Sequence, residues 1–301
     1  MDDYALSVET ADAELPPALA VYAAHLLRRA HIRANRVANH LAPEFGVAAG
    51  QGASGARDFQ ILDALDAPAA YSQQDLGERL GINRTTMVKL IDRLEQAGQV
   101  TRARNPGDRR SYVLALTDDG RSAVKAMEPV MAAGDDHLTA ALTAAERVRL
   151  DALLSTLLAR TPPERGVRRT SPLIAQAHHF VRRRIEDALT DVGLQARHFG
   201  ALTVLADEAS SQQRLARRLG ISEQAILQIV DDLESAGRVV RERDPRDRRR
   251  YALRLTDAGR DALATARRAV EAAETDMGTR LGTDGRAELK ALLTKMLRAE
   301  V

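Results

Sequence analysis

SQQDLGERLGINRTTMVKLIDRLEQAGQVTRARNPGDRRSYVLALTDDG runs from Ser72 to Gly120, and SQQRLARRLGISEQAILQIVDDLESAGRVVRERDPRDRRRYALRLTDAG runs from Ser211 to Gly259. The two align without a gap at one offset (211 − 72 = 139), with about half the positions identical. Two copies with a period near half the chain make a duplicated domain and exclude a solenoid. Each copy reads as a winged helix-turn-helix. Ser72 is placed to cap a helix, with Asp75 completing a capping box. Leu76 and Leu80 share one face of that helix, and Gly77 (Ala216 in copy two) keeps a helix crossing small. Gly81 supplies a tight turn. Asn83, or Ser222, then caps a second helix with an apolar face of Met87, Leu90, Ile91 and Leu94. Gly98 ends it. A short strand from Gln99 to Arg102, a turn at Asn105–Asp108 and a return strand alternating at Tyr112, Leu114 and Leu116 make a hairpin. Thr117 caps the next helix.

Composition sets the outer limits. Apolar residues are 45% and charged residues 29%, as in a soluble globular chain. Aromatics are 3% with no Trp, so the core is built from Ala, Leu, Val and Ile. The net charge of +2 does not by itself point to nucleic acid, so the distribution of charge must. With no Cys, disulfides, zinc–thiolate sites and thiol redox sensing are excluded. No run of about 18 apolar residues predicts a membrane span. The acidic start, MDDYALSVETADAELPP, lacks the pattern of a secretory signal, and the expected location is cytoplasmic.

The wing segments Asp108-Arg109-Arg110-Ser111-Tyr112 and Asp247-Arg248-Arg249-Arg250-Tyr251, with the preceding Leu94-Glu95-Gln96-Ala97-Gly98 and Leu233-Glu234-Ser235-Ala236-Gly237, resemble the MarR (multiple antibiotic resistance regulator) family. The resemblance covers most of the chain, each half being about one family subunit. It implies a mainly α fold with small β wings: two winged helix-turn-helix domains plus a helical dimerisation layer, here a pseudo-two-fold single-chain dimer. The expected organisation is a flexible acidic tail over 1–16, a first domain over 17–159 with its winged module at 57–120, a linker over 160–172, and a second domain over 173–301 with its winged module at 195–259.

Outside the modules, one helix is expected from Pro17 to about His40, a Gly- and Ala-rich loop from Phe45 to Ala56, and a helix around Phe59–Leu65. Another runs from Asp118 to about Leu142, bent at Pro129 and Gly134. A further helix follows a capping box at Thr143–Glu146. Copy two is expected to have helices at Leu173–Thr190 and Leu194–Glu208, then Asp257 to about Leu281 and a last one to Arg298. His25 to Phe59 spans 34 steps and the matching His179 to Phe199 spans 20, so copy one carries about fourteen extra residues there.

A recognition helix reads bases with its N-terminal residues. In copy one these are Asn83, Arg84, Thr85, Thr86 and Lys89, which suit guanine, thymine methyl and phosphate. In copy two they are Ser222, Glu223, Gln224, Ala225 and Gln228, which leave no cation on that face. The wings carry Arg102, Arg104, Asp108, Arg109 and Arg110 in copy one. In copy two they carry Arg241, Arg243, Arg246, Asp247, Arg248, Arg249 and Arg250. Each wing has a net charge of +3 when Glu242 and Asp244 are included. The resemblance puts Arg110 and Arg249 at the family's minor-groove position, oriented by Asp108 and Asp247. His25, His178 and His179 fall at matching places in the first helices and are candidate ligand-pocket residues. No spacing calls for a metal, no cofactor motif is present, and no catalytic constellation suggests an enzyme.

The function this implies is a DNA-binding transcriptional regulator, a ligand-responsive repressor on an asymmetric double-stranded operator. It would act as a monomeric intramolecular pseudo-dimer with a small aromatic or anionic effector. The competing expectation is a protein–protein interaction scaffold that has lost DNA binding in one or both halves.

Overall fold

The computed structural model describes residues 15–41, 52–66, 71–82, 84–104, 112–159, 170–243 and 251–298. The acidic tail before residue 15, most of the Gly-rich loop, the wing tips at 105–111 and 244–250, and the linker at 160–169 lie outside the described residues.

In chain order, copy one gives α1 (Pro17–Ala20), α2 (Ala23–Leu41), α3 (Gly52–Asp66), α4 (Gln73–Leu80), α5 (Arg84–Gln96), β1 (Val100–Arg104), β2 (Tyr112–Leu116), α6 (Asp118–Leu138) and α7 (Ala144–Leu157). Copy two gives α8 (Thr170–Thr190), α9 (Ala196–Asp207), α10 (Gln212–Leu219), α11 (Glu223–Ser235), β3 (Val239–Arg243), β4 (Tyr251–Leu255), α12 (Asp257–Gly278) and α13 (Gly282–Arg298). β1 pairs antiparallel with β2, and β3 with β4, in the same register: Val100 faces Leu116 and Val239 faces Leu255. No helix among the described residues is long and apolar enough to cross a membrane.

Local chemistry sets these boundaries. Ser72 Oγ accepts from Asp75 N while Ser72 N donates to the Asp75 carboxylate, closing the capping box of α4. Thr143 and Glu146 do the same for α7. α5 ends in a Schellman turn. Gln99 N donates to Leu94 O and Gly98 N to Glu95 O, with Gly98 at φ 69°. Gly237 repeats this after α11.

Four boundaries differ from the sequence expectation. The helix expected from Pro17 to His40 breaks at Val21–Tyr22. Tyr22 is buried edge-on against Phe199 at 5.4 Å, and Val21 O accepts from Lys290 Nζ instead of continuing the helical ladder. α3 already starts at Gly52, inside the expected loop. The expected linker gives up Thr170–Pro172 to the first turn of α8, where Pro172 needs no N–H partner. The long helices end at Leu138 and Gly278, earlier than expected, and Gly282 at φ 67° starts the turn into the last helix.

The chain divides into two compact units, Met1–Leu26 with Val181–Lys290, and Leu27–Phe180 with Ala291–Val301. In the unit of the first module, Phe59, Ile61, Leu62, Leu76, Leu80, Met87, Ile91, Leu94, Val100, Leu114 and Val124 form one core. Asp135, buried on α6, caps α8 in that unit. Its carboxylate accepts from Thr170 N and Ser171 N, both at 2.9 Å, and from Ser171 Oγ. In the unit of the second module, Phe199, Leu202, Leu215, Ile226, Val230, Leu233, Val239 and Leu253 are buried. There Glu274, buried on α12, accepts from Ala24 N at 3.0 Å at the start of α2. Asp135 and Glu274 are the same position of the duplication (135 + 139 = 274). Each copy's long helix therefore caps the other copy's first helix.

Asp151 on α7 accepts from Thr170 Oγ1 at 2.8 Å beside this cap. Burial, partly offset by that hydroxyl and reinforced by Asp135, pushes its carboxyl up to about 6. A folded pKa above the unfolded one means a contribution complete below about pH 4 and lost as pH rises through 6. Asp151→Asn, neutral throughout, should therefore gain on the order of 2 kcal/mol relative to the parent between pH 4 and 7. Urea unfolding across that range measures it, and a difference that does not change with pH would contradict the assignment.

Candidate nucleic-acid interface

Both helix-turn-helix motifs present the N-terminal turn of their second helix to solvent. Arg84, Thr85 and Lys89 are exposed on α5 with Thr86 half-buried. Glu223, Gln224 and Gln228 are exposed on α11 with Ala225 half-buried. Ser222 Oγ caps α11 by accepting from Ala225 N at 3.1 Å. Asn83, its counterpart, lies outside the described residues. The opposite faces are buried: Met87, Leu90, Ile91 and Leu94 in one copy, Ile226, Ile229, Val230 and Leu233 in the other.

The hairpins stand beside these helices. Arg104 faces Tyr112 across the first and Arg243 faces Tyr251 across the second. Asp108, Arg109, Arg110, Arg246, Asp247, Arg248, Arg249 and Arg250 belong to the wing tips outside the described residues. One part of the sequence charge count needs correction. Arg102, counted with the wing, is bonded to α5: it pairs with Asp92 at 2.8 Å and with Glu95. Arg241 pairs with Asp231 at 2.8 Å and Glu234 at 2.9 Å on α11. These two arginines fix the hairpin to the recognition helix. In copy two, Glu242 is also held, by Arg254 across the strand at 3.2 Å.

The recognition helices differ strongly in charge. α5 carries Arg84, Lys89 and Arg93 against Asp92 and Glu95, a net +1; α11 carries only Glu223, Asp231, Asp232 and Glu234, a net −4. Part of this comes from an inverted ion pair. Arg93 on α5 binds Asp58 on α3, whereas at the equivalent positions Asp232 on α11 binds Arg197 on α9 at 3.1 Å. The first helix of copy two carries Arg214, Arg217 and Arg218 where α4 has Asp75, Glu78 and Arg79, but Glu208 holds Arg214 at 2.8 Å and Asp207 lies 3.7 Å from Arg218.

Four apolar side chains are exposed in two pairs; Val88 and Leu227 were not singled out in the sequence, and Tyr112 was read with Leu114 and Leu116 as an alternating position of its strand. Val88 on α5 and Leu227 on α11 are 38% and 45% exposed, and Tyr112 and Tyr251 at the hairpins are 55% and 57% exposed. The pairs share the 139 offset, which is the signal that could have found them.

In the first-module unit, His178 and His179 on α8 gather round His31 on α2. His31 stacks on His178 at 5.1 Å and meets His179 edge-on at 5.4 Å. His25, expected with them, belongs to the second-module unit and is half-buried there. Matching equivalent positions finds residues related by duplication, not residues in contact, so His31 was missed. Burial, with His179, Arg57 and Arg28 adding to it, pushes His31 down to about 3, so its ring is neutral. Its Nε2 lies 3.2 Å from Asn35 Nδ2, and its buried Nδ1 has no hydrogen-bond partner. His31 and Asn35 line a small cleft with Gln60, Val130, Met131, Gly134 and Ser171. No group of side chains among the described residues could hold a metal ion. His179 also abuts the helix-turn-helix turn, because a Cβ on Gly81 would fall 2.1 Å from its Cγ.

Models of the MarR family match residues 56–112 and 192–250. The chain is 35% identical over 112 residues to a candidate transcriptional regulatory protein for the hcr operon of Thauera aromatica, covering 37% of this chain and 68% of that protein. It is 35% identical over 102 residues to the HTH-type transcriptional regulator PecS of Dickeya dadantii, covering 33% and 61%. The chain thus spans about two thirds of the length of these relatives. Among solved structures it is similar to the transcriptional repressor CouR bound to a 23-mer DNA duplex, at 33% identity over 41% of this chain and 88% of that one, with a TM-score of 0.39.

Gly81 sits at φ 65° against His179, whereas Gly237 sits at φ 66° with open space around it. Gly237→Ala should cost only the left-handed backbone term, about 1–2 kcal/mol. Gly81→Ala should cost clearly more, and His179→Ala in the same chain should restore the excess. Urea unfolding of the four proteins measures this. Equal losses at the two glycines would remove the His179 contact from the account.

Proposed function

Because the chain belongs to the MarR family, we propose that it is a DNA-binding transcriptional repressor in which one chain does the work of a two-subunit dimer. It grips two unlike half-sites and releases them when a small effector enters the cleft beside His31. The observation that carries this is the pair of exposed recognition turns on the same frame with different side chains: Arg84, Thr85 and Lys89 against Glu223, Gln224 and Gln228. A helix in the major groove pairs Arg with guanine, Gln with adenine and Glu with cytosine. The two modules therefore prefer different bases.

The reciprocal caps support the single-chain dimer. Each copy's first helix finds its cap on the other copy's long helix, so neither copy is complete alone. The charge distribution supports a division of labour. Module one holds phosphate with cations on α5. Module two takes phosphate contacts from Arg217 on α10 and from the wing, including Arg243, Arg246, Arg248, Arg249 and Arg250, while α11 reads bases with uncharged amides and Glu223. Arg104, Arg109 and Arg110 do the same for the first wing, with Asp108 and Asp247 orienting their neighbours. The protein acts in the cytoplasm, where its operators are.

The absence of cations on α11 favours a second reading, a scaffold in which module two no longer binds DNA. Selection from a random duplex library followed by footprinting separates the two. The repressor reading predicts a consensus of two unlike halves, both protected. Arg84→Ala should relax choice in one half only, at a cost of about 1–3 kcal/mol. Glu223→Lys should raise non-specific affinity by removing a charge that repels phosphate. Protection of one half alone supports the scaffold reading for module two, and a palindrome contacted equally by both modules rules out the asymmetric one.

The cleft joins apolar Val130 and Met131 to the polar edges of His31, Asn35, Gln60 and Ser171, the mixed lining of a small-molecule site, and the effector proposed for it is a small aromatic compound. His178 and His179 back it, and His179 carries the signal to Gly81. His25 is the equivalent candidate in the second module. A thermal-shift panel of aromatic carboxylates should find at least one compound that stabilises the parent and releases DNA. Gly134→Leu, which fills the cleft, should keep DNA binding and lose that response. A compound that acts equally on both proteins would place the effector site elsewhere.

A further inference from the structure

Six large apolar side chains are exposed among the described residues: Val21, Val88, Tyr112, Val148, Leu227 and Tyr251. Four of them form two pairs at the duplication offset, and all four lie on the recognition helices and hairpins. Val148, by contrast, has Ala287 at its equivalent position. A single exposed apolar residue needs no explanation, but one kept at the same place in two diverged copies does.

The neighbourhood makes the pairing of Val88 with Leu227 informative. On the reading end of the helix the polar positions around them have been exchanged, Arg84 for Glu223, Thr85 for Gln224, Thr86 for Ala225 and Lys89 for Gln228, while toward the hairpin Asp92 is kept as Asp231. Only this position stays large, apolar and exposed. Helical spacing puts residue 88 one turn beyond Arg84 and one turn before Asp92, the carboxylate held by Arg102. It therefore lies on the exposed strip that runs from the reading end of the helix toward the hairpin, and Leu227 lies likewise between Glu223 and Asp231, which Arg241 holds.

We propose that Val88 and Leu227 each read the C5-methyl group of a thymine at the same place in their respective half-sites. The thymine methyl is the one apolar feature on the major-groove edge of the base pairs, and an apolar side chain is what recognises it. This rests on the DNA-binding reading above and sharpens it. The operator is asymmetric at the bases met by residues 84, 85 and 89 and their counterparts, yet carries one matched thymine in each half. The two copies keep a shared anchor that sets register and vary the residues around it.

The test uses the full chain and its selected operator, with each thymine replaced singly by deoxyuridine, which removes the methyl group and leaves every hydrogen-bonding edge intact. Burying one methyl is worth about 3- to 5-fold in affinity. One thymine per half-site should show that loss. Val88→Ala should abolish the loss in the first half-site and leave it in the second, and Leu227→Ala should do the reverse. Both residues are on the surface, so the variants should unfold at the parent's urea midpoint. The parent protein alone already decides the first part without any substitution. A tightly bound operator with no deoxyuridine-sensitive position overturns the inference, as does a penalty that persists in both variants. A chain that binds no duplex at all overturns the DNA-binding reading itself.

Discussion

A helix begins with backbone N–H groups that have no partner in the helix, and a buried carboxylate needs donors in return. Asp135 and Glu274 settle both needs at once, each at the start of a helix from the opposite copy. Removing either would leave buried N–H groups without an acceptor, and removing the helix would leave a buried carboxylate without donors. The two copies are thereby tied to each other in sequence terms. In each copy the start of the first helix is capped by the long helix of the other copy. In a homodimer this exchange would join two chains. Here it joins two halves of one, and those halves are then free to diverge.

The divergence has a pattern. Positions that hold the frame are kept: the Ser caps at 72 and 211, the Gly turns at 81 and 220, the Schellman glycines at 98 and 237, and the Arg102 and Arg241 clamps. The polar positions at the reading end of the recognition helix, 84, 85, 86 and 89 against 223, 224, 225 and 228, are not. The Asp58–Arg93 pair and its inverted counterpart Arg197–Asp232 show the two tendencies together. The contact between helices is preserved while its polarity is exchanged, which moves a positive charge off the second recognition helix. A partly exposed pair of this kind contributes little to stability, so reversing it costs the fold almost nothing.

Much of this was legible in the sequence because it is local. Capping boxes, αL glycines and apolar periodicity involve residues within a few positions of one another, and Ser72, Thr143, Gly98 and the α5 core were read directly from them. What was not legible depends on contacts between elements, near or far along the chain. The break at Val21–Tyr22 needs Phe199 and Lys290. The role of Arg102 needs Asp92 and Glu95 on its near face, and a basic wing composition hid it. His31 carries no motif, and only the packing of α8 against α2 in the first-module unit brings His178 and His179 to it.

The central claim is that one chain supplies both arms of a DNA-binding dimer. Light scattering coupled to size exclusion, on the protein alone and on its complex with the selected operator, tests it most directly. The account predicts a free species of 32.8 kDa and a complex of one chain per duplex, with both half-sites protected. An operator that is occupied only by two chains, each contributing a single module, would contradict it.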